Sequence, residues 1–310
     1  MNLSDPEACT QLSAFLQGAA GARAVHITGL ERLSGGAVQE NWALDAEVEG
    51  GAHDGTQHWV LRTDAAARVE VSLRRGDEFR ILQVAHGAGL CAPRPLWSCE
   101  DASVIGREFF VMQRLPGIAS GHRVTRDSAL VPDRASLARE LAENLARLHA
   151  IAPPQPQLAF VQTMLARDCI AHYRRYLDGL PEPHAALEWG LRWCELHAPR
   201  EEETTFIHRD YRTGNYLVHN GRLSGVLDWE FAAFGNPLED VGWFFAKCWR
   251  FAGKRRPAGG IAEAADFLGP YERASGRKVS PEALVYWQVM AHLRWAVIAL
   301  QQAQRHLSGI

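Results

Sequence analysis

The chain has 310 residues, is 47% hydrophobic and 22% charged, and carries a formal net charge of −3. That length and apolar share support a sizeable buried core, arranged as one large domain or as two lobes. A charge so near neutral argues against nucleic acid or an anionic membrane as the main partner.

Ten tryptophans and twelve phenylalanines speak for well-packed interiors and against disorder. The opening stretch, Met1 to Glu7, has neither a basic n-region nor an apolar h-region, so a secretory signal is not expected. No uninterrupted apolar run approaches the ~18 residues of a membrane span. The six cysteines (Cys9, Cys91, Cys99, Cys169, Cys194 and Cys248) form no C-x-x-C pair and no regular spacing. They are expected to be reduced, mostly buried thiols of a cytoplasmic protein.

In chain order, Trp42, Leu44, Ala46 and Val48 alternate with polar residues, the period of a half-buried strand. Residues 57–63, holding Trp59, Val60 and Leu61, predict a second strand, with Gly50 to Gly55 as the hairpin loop between them. Residues 71–86 predict a helix stopped by Gly87 and Gly89. Residues 108–115 predict a third strand. After Pro116-Gly117 the pattern turns helical. Leu137, Leu141, Leu145 and Leu148 recur at helical spacing, with Pro153-Pro154 beyond them, and 160–177 and 186–197 are further helix candidates. Ser280-Pro281-Glu282 reads as an N-cap serine with proline at the first helical position, opening a helix to about Arg305. These elements describe an α+β chain: a small sheet lobe with one helix over 1–115, then a larger, mainly helical lobe over 116–310. A cleft between two lobes is a common place for a ligand.

The chemistry concentrates in one motif. His-x-Asp-x-x-x-x-Asn occurs at His208, Asp210 and Asn215, directly after the strand-like Thr204 to Ile207. Two apolar stretches follow, Tyr216 to Val218 and Leu223 to Leu227, separated by a turn at Asn220-Gly221, and the second ends on Asp228. Phosphoryl transfer from a nucleotide needs Mg2+ on the phosphates and a carboxylate to orient the attacking hydroxyl and take its proton. Asp210 suits the catalytic role. Asn215 and Asp228 suit the metal, because Mg2+ takes hard oxygen ligands and keeps several waters. His208 is expected to hold the loop by hydrogen bonds. Such residues can fall at this spacing by chance; Asp228, ending a strand of its own, favours the functional reading.

The segments Phe206 to Asn215, Val226 to Glu230 and Gly235 to Asp240 resemble the aminoglycoside phosphotransferase/choline kinase family, whose members have the protein-kinase-like two-lobed fold. The resemblance implies a nucleotide-binding lobe over 1–115 and a catalytic, substrate-binding lobe over 116–310. It implies ATP as phosphate donor, with Arg62 reaching the phosphates and Glu78 pairing with it. Lysine is the commoner residue where Arg62 stands. Ser34, Gly35 and Gly36 resemble the turn that covers the nucleotide, and Met112 to Leu115, with Gln113 and Leu115, resembles the hinge that meets adenine. Asp240 is expected to cap the catalytic loop from below. Arg209 departs from the glycine frequent there. Only eleven residues separate Asp228 from Asp240, too few for a long regulatory loop, so the expected acceptor is a small-molecule hydroxyl.

From Asp240 to Ile310 there are ten Lys or Arg against five Asp or Glu, with Lys247, Arg250, Lys254, Arg255 and Arg256 close together. This cluster reads either as a solvated face or as a site for an anionic acceptor such as a hydroxyacyl-CoA or hydroxy acid. The second choice agrees with a further resemblance, to the bacterial branch related to the kinase domain of certain acyl-CoA dehydrogenases. An aminoglycoside-modifying phosphotransferase and a catalytically silent nucleotide-binding protein are the alternatives. Oligomeric state is not legible.

Overall fold

The computed structural model describes residues 3, 5–33, 39–64 and 73–308. Within it the chain divides into two compact units, one of Met1–His86 with Pro93–Leu115 and one of Gly87–Ala92 with Pro116–Ile310.

The first unit holds helix α1 (Pro6–Ala20), strands β1 (Ala24–Arg32), β2 (Gln39–Glu49) and β3 (Gly55–Asp64), helix α2 (Arg75–Gly87), and strands β4 (Pro95–Cys99) and β5 (Phe109–Gln113). The strands form one antiparallel sheet in the order β1-β2-β3-β5-β4. Although Ala43 between them is buried too, Trp42, Leu44, Ala46 and Val48 of β2 are all buried as expected. They pack with Leu12 and Leu16 of α1 and with Trp59, Leu61, Phe109 and Val111 of the sheet. Helix α1 and strands β1 and β4 are additions to the elements read from sequence. Among the described residues, α2 starts at Arg75 rather than near residue 71.

The second unit begins its helices with α3 (Gly121–Arg126) and α4 (Arg134–Leu148). Asp133 caps α4 by accepting the Ser136 N–H, and its leucines at helical spacing are buried. Strand β6 (Thr163–Met164) precedes α5 (Ala166–Asp178), which corrects the expected helix from residue 160. The Asp168 carboxylate accepts the Leu165 N–H and fixes the helix start there. Then come α6 (Ala185–His197), β7 (Thr205–Ile207), the hairpin β8 (Tyr216–His219) with β9 (Arg222–Val226), β10 (Ala233–Gly235), and helices α7 (Pro237–Phe245), α8 (Ala264–Ser275) and α9 (Pro281–Ser308). A small sheet runs β6-β10-β7.

Asn220 and Gly221, at φ of 50° and 76°, make the β8–β9 turn, the left-handed pair that a two-residue hairpin needs. Ser280 caps α9 through its hydroxyl on the Ala283 N–H. By length and composition α9 could cross a bilayer. Tyr286, Trp287, Met290, Leu293 and Val297 on this helix are core residues packed with α5 and α6.

Candidate active site

The strand β7 delivers the chain into a loop whose first three N–H groups, those of His208, Arg209 and Asp210, each donate to a side chain. Asp240, on the first turn of α7, accepts the N–H of His208 and the N–H of Arg209, both at 2.7 Å. It also accepts from His149 Nε2 at 3.1 Å, and His149 Nδ1 meets the Tyr271 hydroxyl at 2.8 Å. Asp240 and His149 are fully buried. Burial pushes the Asp240 carboxyl up, but the His149 hydrogen bond, the nearby imidazoles and the His208 N–H outweigh it and hold the carboxyl low. Asp240 thus stands under the loop as expected, joined by a histidine the sequence reading did not single out.

His208 is wholly buried. Its Nδ1 accepts the Asp210 N–H at 3.1 Å, so the ring proton sits on Nε2, which meets the Leu227 carbonyl at 2.9 Å. Burial depresses its pKa. A neutral imidazole with both nitrogens committed is a brace, in agreement with its expected role.

Arg209 takes a φ of 63°, the left-handed region that suits glycine. An arginine remains there because its guanidinium is engaged: Nε lies 2.9 Å from Glu239 Oε1, and a terminal nitrogen is 3.6 Å from Cys169 Sγ. Burial first, and then the Glu239 charge, push the Cys169 thiol up to about 12 against the pull of Arg209 and Arg294, so this sulfur is a packed acceptor rather than a nucleophile.

Asp210 is 8% exposed. Its Oδ1 accepts from Trp243 Nε1 at 2.8 Å and from Arg212 Nε at 3.1 Å, and its Oδ2 accepts from the Asn215 amide. A carboxylate has about four lone-pair positions. Two donors fill Oδ1 and one donor sits on Oδ2, so the second lone pair of Oδ2 is the one left for an incoming hydroxyl. Because Asn215 turns its Nδ2 to Asp210, its Oδ1 is the face left for a cation. The Leu227 N–H donates to the Asn215 carbonyl at 2.8 Å, tying the end of the β8–β9 hairpin to the loop. Asp228 follows at a φ of 61° and is half-buried. The hard-oxygen chemistry of Asn215 and Asp228 suits Mg2+, which uses one or two side chains plus phosphates and water.

In the first unit, Arg62 and Asn41 face each other across β2 and β3. Arg62 Nε lies 2.9 Å from Glu78 Oε1, and a terminal nitrogen donates to Asn41 Oδ1 at 3.1 Å. Glu78 is shared. Arg75, fully buried, binds its other oxygen and places Nε 2.9 Å from Asp64. Gln113, at the end of β5, gives its N–H to the Arg94 carbonyl at 2.9 Å, and the Arg114 N–H goes to the His58 carbonyl at 3.2 Å. Leu115 is half-buried. Ser34, Gly35 and Gly36 lie outside the described residues.

The basic cluster divides. Arg250 donates to the Phe245 carbonyl at 3.0 Å, and Arg256 donates to the carbonyls of Thr125 and Gly260 at 3.0 and 3.1 Å. Two of the five cations therefore serve the backbone; Lys247, Lys254 and Arg255 are exposed. The segment carrying them packs on the catalytic loop, where the Thr213 hydroxyl donates to the Gly259 carbonyl at 2.6 Å and the Arg212 guanidinium lies 4.1 Å from the Trp249 ring centre. Arg75, His149, Arg212, Trp243 and Arg294 escaped the sequence reading. Arg212 alone carried a local signal, standing two residues after Asp210 inside the motif.

Comparison with known proteins agrees with this geometry. Residues 29–277 match the sequence model of the phosphotransferase enzyme family. The chain is 30% identical over 170 residues to acyl-CoA dehydrogenase family member 10 of Mus musculus, covering 53% of this chain and 16% of that protein. It is 29% identical over 201 residues to family member 11 of Homo sapiens, covering 61% and 25%. The chain thus spans a quarter or less of the curated relatives it matches. A putative aminoglycoside phosphotransferase of Ralstonia eutropha shares its fold at a TM-score of 0.67 and 21% identity, over 91% of this chain and 85% of that one. A thermostable mutant of the aminoglycoside phosphotransferase APH(4)-Ia, in ternary complex with AMP-PNP and hygromycin B, does so at 0.61 and 19%, over 95% and 93%. These neighbours have the kinase-like α+β fold, and with the match over 29–277 they show that the chain belongs to the phosphotransferase enzyme family, as a small-molecule kinase.

Proposed function

We propose that this kinase uses ATP with Mg2+ to phosphorylate a hydroxyl of a small anionic molecule, with a hydroxyacyl-CoA or hydroxy acid as the acceptor class. The observation that carries the reading is the fixed carboxylate of Asp210, with three donors placed and one lone pair open on Oδ2.

In the reaction, Asp210 Oδ2 accepts the hydrogen bond of the acceptor hydroxyl and takes its proton as the new O–P bond forms and ADP leaves. Asn215 and Asp228 would hold Mg2+, which when bound would neutralise charge on the phosphates. Arg62, braced by Glu78 and Asn41, engages the nucleotide phosphates, and Gln113 and Leu115 meet the base. With the Gln113 N–H already given to Arg94, this residue meets adenine through its carbonyl. The AMP-PNP complex of a fold relative supports the choice of ATP. The exposed Lys247, Lys254 and Arg255 beside the catalytic loop, and the acyl-CoA names of the curated relatives, support the anionic acceptor. All six cysteines are free thiols, which supports a cytoplasmic setting.

The test is ADP release from Mg2+-ATP across a panel of hydroxyacyl-CoAs and hydroxy acids, with aminoglycosides alongside. Asp210→Ala should lose turnover about a thousandfold while still binding ATP. Unchanged turnover in that variant would remove Asp210 from its role, and turnover confined to aminoglycosides would replace the acceptor.

A further inference from the structure

Asp210 is gripped from one side by an indole, and that indole is in turn held by the last helix. Trp243 of α7 is 2% exposed, and its Nε1–H reaches Asp210 Oδ1 at 2.8 Å. An indole nitrogen only donates, so the bond is satisfied only while the carboxylate presents that edge.

Trp243 is covered by Arg294 of α9, whose guanidinium carbon lies 4.6 Å from the indole ring centre, within cation–π reach. The same guanidinium donates to the backbone carbonyl of Arg209, the residue before Asp210, and lies 3.7 Å from Glu239 Oε1. Arg294 is itself 7% exposed. The two helices can approach this closely because residue 242 is glycine: a Cβ there would come within 2.5 Å of the Trp287 backbone. Arg294 stands beyond residue 277, where the family match ends.

We propose that Trp243 and Arg294 are positioning residues for phosphoryl transfer: the indole N–H saturates Oδ1 and so turns the open lone pair of Oδ2 to the acceptor, while Arg294 clamps both the indole and the Arg209 carbonyl. This rests on the phosphotransfer reading of Asp210. It assigns the C-terminal helix a direct hold on the catalytic carboxylate, from 84 positions downstream.

The test has a spectroscopic and a kinetic arm, both on the full chain. In protein labelled with 15N at the indoles, the Trp243 signal is the one missing from Trp243→Phe. It should shift in Asp210→Asn and in Arg294→Gln. With the best acceptor from the panel, folded Trp243→Phe should lose about tenfold or more in kcat while KM for ATP stays within about twofold. Arg294→Lys, which keeps the charge but not the planar fork, should recover part of what Arg294→Gln loses. A Trp243 signal unmoved by Asp210→Asn, or full kcat in folded Trp243→Phe, overturns the proposal. If wild type and Asp210→Ala release ADP equally, the phosphotransfer reading falls, and the indole spectrum still decides whether Trp243 holds Asp210.

Discussion

Asp240 accepts the backbone N–H of Arg209 at 2.7 Å, and so holds in place a residue whose φ of 63° would ordinarily favour glycine. A left-handed conformation costs a non-glycine residue about 1–2 kcal/mol. Two compensations keep the arginine: the Asp240 carboxylate on its N–H, and Glu239 on its guanidinium.

Replacing Arg209 by glycine therefore sets two effects against each other. The backbone relaxes, but Glu239, 7% exposed, loses its nearest cation. Stranding a buried charge costs about 3–5 kcal/mol, and Arg294, 3.7 Å from Glu239, offsets part of it. Arg209→Gly should be less stable than wild type by about 1–3 kcal/mol in urea unfolding, and adding Glu239→Gln should restore most of the loss. A glycine variant more stable than wild type would show that the ion pair contributes less than the strain.

Acid should weaken the fold through its buried imidazoles. His149 and His208 are both pushed below their usual 6.5, by burial first and against the pull of Asp240. In the unfolded chain they take protons at about 6.5. Their contribution is therefore complete above that pH and is lost as pH falls toward the lower folded values. The Asp240 carboxyl, also held low, adds a loss of the same sign below about 3.9. The urea midpoint should fall from pH 7 to 5, with a shallower slope in His149→Gln. A flat midpoint in wild type would contradict the two buried neutral rings.

Gly242 is a packing residue. An added methyl would meet the Trp287 backbone at 2.5 Å, and overpacking of this kind costs about 1–3 kcal/mol. Gly242→Ala should lower the melting temperature, and because α7 carries both Trp243 and Asp240, kcat should fall with it. A variant with wild-type melting and turnover would mean that α7 and α9 yield without disturbing the loop.

Reversing the exposed charges tests the acceptor. The double change Lys254→Glu with Arg255→Glu should raise KM for an anionic acyl-CoA acceptor about fivefold or more, most at low salt, and leave KM for ATP alone. Equal KM values at low salt would mean that these two cations do not meet the acceptor.

Much of the site was readable because its parts are close in the chain. Asp210 and Asn215 lie on one loop, and the turn at Asn220-Gly221 sends β9 back so that Leu227, the residue before Asp228, bonds the Asn215 carbonyl. Arg62 and Glu78 were placed by resemblance, and their ion pair at 2.9 Å is the geometry implied. Arg75 was missed: an arginine at the start of an amphipathic helix carries no local sign that it will be fully buried between Asp64 and Glu78.

The amino-acid order alone was enough for the strand alternation, the hairpin, the capped last helix and the constellation at 208–228, since short-range periodicity and turn chemistry specify them. What a string of residues does not carry is which distant groups share a buried partner. Arg250 and Arg256 read from the sequence either as a solvated face or as acceptor-site cations, and the structure places their donors on backbone carbonyls instead. Trp243 and Arg294 drew no attention in the sequence, yet Trp243 donates to Asp210 and Arg294 lies over the indole ring. Hydrogen bonds and desolvated charges choose partners by direction and distance in space, and those are settled when α7 and α9 pack.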